Sequence, residues 1–173
     1  MKKTILLLLF LISSATTFSQ NDVYTISRSG TVEELKAVMK NDPDIINMPN
    51  ADGNSPLILA CYKGNVEVAK FLIQNVKDIN FTTPMGTALM AATVKKNTEI
   101  VKLLLDNKAN PNVTDANGST ALIYAAIFKS YEIAELLVKY KGDDMHKDNR
   151  GNSAFDYAIL ANDDKLIQIL KTK

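Results

Sequence analysis

The chain has 173 residues, 46% of them hydrophobic, with 20 Lys and Arg against 19 Asp and Glu and a formal net charge of +1. That balance lacks the electrostatic footprint of a nucleic-acid binder or of a protein held on anionic lipid. A single cysteine, Cys61, excludes an intramolecular disulfide.

Residues 1–19 stand apart from the rest. Lys2 and Lys3 give a positive start, Ile5 to Ile12 is an unbroken apolar run, and Ser13 to Ser19 is small and mostly polar. This is the layout of a secretory signal peptide. The apolar run is shorter than the ~20 residues of a membrane span. Cleavage after Ser19 leaves Gln20 as the new N-terminus; cleavage after Ala15 is the alternative. Losing Lys2 and Lys3 turns the net charge to −1. The leader has no Cys for a lipid anchor, and its short Leu-rich core suits a bacterium. The expectation is an exported protein, periplasmic in a Gram-negative cell and secreted otherwise, with no stable membrane insertion after the leader is removed. The remaining 20–173 has the size of one domain.

The first helical signal past the leader is Gly30 followed by Thr31-Val32-Glu33-Glu34, a capping box that opens a helix carrying Leu35 and Val38. Ser55 caps the next helix, which starts at Pro56 and places Leu57, Ala60 and Cys61 on one face. Gly64 breaks it, and Asn65 caps a second helix with Glu67 in its first turn and Val68, Phe71 and Leu72 as its apolar stripe. A polar link through Asp78 and Asn80 leads to Thr87, where the same grammar restarts. Asn97 with Glu99, and Ser130 with Glu132, repeat the cap and first-turn acid. Ile100, Leu103 and Leu104, then Ile133, Leu136 and Leu137, repeat the stripe. Asp163 caps a last helix bearing Leu166, Ile167, Ile169 and Leu170.

Four copies of one phrase fix the period. Ser55-Pro56-Leu57-Ile58-Leu59-Ala60, Thr87-Ala88-Leu89-Met90-Ala91-Ala92, Thr120-Ala121-Leu122-Ile123-Tyr124-Ala125 and Ser153-Ala154-Phe155-Asp156-Tyr157-Ala158 begin 32, 33 and 33 residues apart. A period in this range marks a stacked repeat array, in which each unit buries its face against neighbours.

The phrase, the Glu-led second helix, Asn80, Asn112, and the turns Asp115-Ala116-Asn117-Gly118 and Asp148-Asn149-Arg150-Gly151 resemble the ankyrin repeat family. The resemblance implies an all-α solenoid of helix-turn-helix repeats joined by short hairpin-like loops. Its approximate repeats are 21–53, 54–86, 87–119, 120–152 and a truncated C-terminal cap, 153–173. Several positions depart from the family pattern. Its histidine falls at Ile58, Met90, Ile123 and Asp156, where apolar packing is expected in three copies and a Ser153–Asp156 capping pair in the fourth. Its helix-breaking glycine becomes Lys96, Lys129 and Asn162, of which only Asn accepts positive φ easily. Its late glycine becomes Val76 or Lys108. One residue is missing before Thr87 and one is extra around Asp42 to Ile46, so small stacking irregularities are expected.

The resemblance also implies a protein partner on the turn tips and the exposed side of the first helices. The candidates are Tyr62, Lys63, Val94, Lys95, Tyr124, Ile127, Phe128, Tyr157 and Leu160 on the helices. The tips add Asp52, Asn54, Met85, Asn117, Ser119, Asn149 and Arg150. Tyr124, Ile127 and Phe128 share one face at i, i+3, i+4 spacing. Aromatic residues rimmed by polar ones have the composition of an interaction hot spot. Sharper chemistry finds little support. His146, the lone histidine, has acidic neighbours but no ligand spacing. Cys61 sits at a buried small position far from that histidine. There is no phosphate loop, Gly-x-Ser-x-Gly elbow or His-Glu-x-x-His. The expected protein is a monomer, not an enzyme, with no cofactor and no metal. It is read as a scaffold or accessory factor binding another protein; the alternative is a dedicated inhibitor or immunity protein blocking a toxin or enzyme in the same compartment.

Overall fold

A computed structural model describes residues 20–171. The leader expected over 1–19 lies outside the described residues. The described residues form five helix pairs: α1 (Gln20–Ser29) with α2 (Val32–Met39), α3 (Pro56–Lys63) with α4 (Val66–Asn75), α5 (Ala88–Val94) with α6 (Thr98–Asp106), α7 (Ala121–Ile127) with α8 (Tyr131–Lys139), and α9 (Ala154–Leu160) with α10 (Asp164–Lys171). First helices pack on first helices and second on second, in chain order. The array is an all-α solenoid, as the repeat phrase implies.

Hydroxyl caps start the first helices. Ser55, Thr87 and Thr120 accept the N–H of Ile58, Met90 and Ile123, each at 3.3 Å, and Ser153 exchanges bonds with Asp156 in a capping box. Asn65, Asn97 and Asp163 cap the second helices. Ser130 makes no such bond, and its buried Oγ has no partner among the described residues. Ile58, Met90 and Ile123 are buried, so apolar packing does fill the three positions that lack the histidine.

The turn within each of the last four pairs keeps one geometry whatever the residue. Gly64 has φ 75°, and Lys96, Lys129 and Asn162 have φ 55°, 51° and 48°. The lysines therefore adopt the left-handed turn that the sequence grants easily only to Asn. Two backbone bonds hold each in place: Lys96 N–H to Thr93 O with Asn97 N–H to Ala92 O, and Lys129 N–H to Ala126 O with Ser130 N–H to Ala125 O. This double closure satisfies the last helical carbonyls. Lys108 and Lys141 repeat it after α6 and α8. Val76 does not: it leaves α4 in an extended conformation, φ −73° and ψ 149°.

Both length irregularities have a visible outcome. The extra residue is absorbed in a 3-10 turn, Ile45–Asn47. The missing one tightens a tip into two short strands, β1 (Thr82–Thr83) and β2 (Gly86–Thr87), paired Thr82 to Thr87 and Thr83 to Gly86. The core is one continuous apolar seam between the two helix layers, with Leu35, Leu72, Leu104, Leu122, Leu137 and Leu166 fully buried. No helix among the described residues is long and apolar enough to cross a membrane.

Candidate functional site

Register makes columns on the outward side of the first helices. The fourth residue after each hydroxyl cap is Leu59, Ala91, Tyr124 and Tyr157; the seventh is Tyr62, Val94, Ile127 and Leu160; the eighth is Lys63, Lys95, Phe128 and Ala161. Ala91 is the one small member of its column. It leaves a gap between bulkier neighbours on α3 and α7.

That gap is a hollow of about 470 Å³. Ile58, Leu59, Met90 and Ala91 make its floor, Tyr62 and Lys63 one wall, and Tyr124 and Phe128 the other. Val94 closes one end; Met85 and Thr87 of the hairpin tip, with Asn54, close the other, and Arg28 reaches in from α1. The two wall rings Tyr124 and Phe128 stack, with centroids 6.3 Å apart and planes 14° from parallel. Phe128 is 39% exposed, Tyr62 46% and Met85 81%. The Lys95 ammonium stands 4.9 Å above the Tyr62 ring, a cation–π contact that fixes the wall.

Tyr124 is also a ridge. Beyond it lies a second, more polar hollow of about 280 Å³, lined among others by Asn117, Ile127, Arg150 and Tyr157. The face expected for Tyr124, Ile127 and Phe128 is thus split: Phe128 looks toward α5, Ile127 toward α9. Leu160 is 68% exposed and joins neither hollow; it lies beside Lys147 and Ile159.

The two tyrosines do structural work as well. Tyr124 Oη donates to Asp115 Oδ2, and Tyr157 Oη to Asp148 Oδ2 at 2.7 Å. The other carboxylate oxygen of Asp115 accepts the N–H of Asn117 and Ser119; that of Asp148 accepts the N–H of Arg150 and Asn152. Each pair fastens a turn tip to the following helix. Burial, then the Asp115 carboxylate, pushes the Tyr124 phenol above its ordinary range. Tyr157 is raised by its bond to Asp148 first and burial second. Burial pushes the Asp148 carboxyl up, but the Tyr157 hydroxyl and two backbone N–H groups outweigh it and hold the acid below the usual range.

His146 bonds through Nε2–H to the Gly118 carbonyl at 2.9 Å, tying one repeat's loop to the tip before it. Cys61 is fully buried, and burial pushes its thiol far above the usual range, so it stays protonated and unreactive. Sequence reasoning missed Arg28 and Ala91. Arg28 carried a signal: it stands two residues before Gly30, as Tyr62 stands two before Gly64.

The family model for ankyrin repeats, in three copies, matches residues 23–115 and 89–173. The chain is 34% identical over 74 residues to Ankyrin repeat and SAM domain-containing protein 6 of Rattus norvegicus, covering 42% of this chain and 8% of that protein. It is 42% identical over 48 residues to the Acyl-CoA-binding domain-containing protein 6 homolog of Dictyostelium discoideum, covering 28% of this chain and 17% of that one. The chain thus spans less than a fifth of the length of either relative.

Proposed function

The chain belongs to the ankyrin repeat family, and from that premise we propose that it is an exported, non-enzymatic scaffold or accessory factor that docks a partner protein on its first-helix face. Ankyrin repeats generally mediate protein–protein binding. The observation that carries the docking face is the hollow over α5, with exposed Tyr62 and Phe128 on opposite walls. Exposed aromatic rings beside an apolar floor cost solvation when bare and are relieved by an apolar partner. Export rests on the charge and apolar pattern of residues 1–19.

Photo-crosslinking tests the face. Benzoylphenylalanine placed at position 62 or 128 should yield a discrete protein adduct in cells. The same probe at Lys102, exposed on α6, should not. Equal adducts from all three sites, or none from the first two, would sink the docking face. Export is tested separately, by N-terminal sequencing of the protein from the periplasmic fraction. Gln20 is expected there; an intact Met1 in the cytoplasm alone refutes it.

A further inference from the structure

On the reading of this face as a docking surface, the hollow over α5 also selects its occupant, by shape and by charge. Its depth is set at Ala91, flanked in its column by Leu59 and Tyr124. The floor below is buried Ile58 and Met90. Such a floor accepts bulky apolar side chains and leaves polar ones without hydrogen-bond partners. The charge is one-sided. Arg28 and Lys63 line the hollow and Lys95 stands over its Tyr62 wall, while no carboxylate lines it. Among the described residues none of these three cations has a carboxylate within 4.0 Å, since the ion pairs are Lys77–Asp44, Lys102–Asp106 and Lys129–Asp163. The whole chain is close to neutral, so three unpaired cations at one apolar hollow are a local arrangement.

We propose that the hollow takes a short segment of a partner protein in which one or two bulky apolar side chains are flanked by Asp or Glu. The apolar side chains enter over Ala91 between the Tyr62 and Phe128 walls. The flanking carboxylates reach Arg28, Lys63 and Lys95, which steer the approach and fix its direction. The neighbouring hollow beyond Tyr124 holds both Asp148 and Arg150 and exerts no such preference.

The repeat itself supplies the variant that tests this. Tyrosine occupies the Ala91 position in the next two repeats, so Ala91→Tyr is expected to fold and to fill the hollow. The protein, Ala91→Tyr and the Arg28→Gln/Lys63→Gln double variant are each panned against a phage-displayed library of random peptides, with melting curves confirming that both variants fold. The wild type should enrich net-acidic sequences containing bulky apolar residues. Synthetic copies should lose affinity about tenfold or more on either variant and weaken as salt is raised. Enrichment of neutral or basic sequences, or indifference to the double variant, overturns the acidic occupant while leaving a docking face. Indifference to Ala91→Tyr places the occupant elsewhere, and no enrichment over an unrelated protein removes a peptide occupant altogether. The crosslink from position 128 reads the docking face without any peptide, so the two readings fail separately.

Discussion

Replacing Phe128 by alanine separates an anchor from a core residue. Phe128 keeps 39% of its surface exposed and borders an open hollow, so its removal seals no cavity. The loss is then the transfer term for about three-fifths of the ring, roughly 1–2 kcal/mol on a full-burial value of 1.5–3. The stacked contact with Tyr124 adds roughly 0.5–1 kcal/mol. About 2 kcal/mol in all is expected, against 3–5 for a Phe enclosed in a core. The partner found by crosslinking should bind at least about 30-fold more weakly, a hot-spot loss of ~2 kcal/mol. The chain has no Trp, so urea unfolding is followed by far-UV circular dichroism, with equal slopes required for the comparison. A stability loss above about 3 kcal/mol would make Phe128 core. Unchanged partner binding at near-native stability would refute its place on the docking wall.

Four further outcomes follow from the geometry. Tyr157→Phe should cost about 1 kcal/mol near pH 7 by removing a part-buried, charge-assisted bond to Asp148. Because Asp148 is held below the usual range when folded, that stabilisation is present above the unfolded carboxyl pKa near 3.9 and is lost as pH falls through the lower folded value; the variant's acid midpoint should rise, and an unmoved midpoint defeats the linkage. Lys96→Gly should stabilise by about 0.5 kcal/mol, the left-handed strain of roughly 1–2 less the extra freedom of unfolded glycine; Lys129→Gly should gain less because it gives up the 3.6 Å contact with Asp163. Gly64→Ala should lose about 1 kcal/mol through its φ of 75° alone, since an added Cβ would come no nearer than 3.5 Å to Asn97 Nδ2; a neutral result counts against the backbone argument. Cys61 should resist a thiol reagent in the folded protein and react fully in urea, and rapid native labelling would show that it is not sealed in the core.

Period, caps and helix starts were legible in the sequence because they are local chemistry. Ser55 finds its acceptor role three residues away and Glu34 closes its box over the same distance. The binding face was only half legible. Each aromatic could be placed on a helix, but which hollow it borders depends on residues one repeat away on either side. Ala91 shows the difficulty: an alanine in a helix carries no signal by itself, and it becomes a gap only against Leu59 and Tyr124. Lys96 and Lys129 fail in the opposite sense. Their side chains argue against the left-handed turn, yet two backbone bonds and the packing of both flanking helices over-determine it.

The shape of the hollow goes with one change in the repeat. Where the fourth position is Tyr124 or Tyr157, the residue nine earlier is Asp115 or Asp148, and the phenol bonds the carboxylate. Where it is Leu59, the residue nine earlier is Asn50, whose Oδ1 accepts the N–H of Asp52 and Asn54 and so keeps the turn without a charge. Where it is Ala91, the shortened tip presents Thr83, whose hydroxyl donates to the Gly86 carbonyl and accepts the Met85 N–H. Tyrosine and aspartate are present together or absent together because each satisfies the other: a carboxylate this buried needs the hydroxyl, and the hydroxyl needs an acceptor. Losing the pair at α5 therefore has two effects. It removes a ring, which opens space over Ala91, and it leaves the tip before α5 without a carboxylate. An apolar opening is what remains when both members of that pair are replaced, and the same exchange in reverse, Ala91→Tyr with Thr83→Asp, should close the hollow.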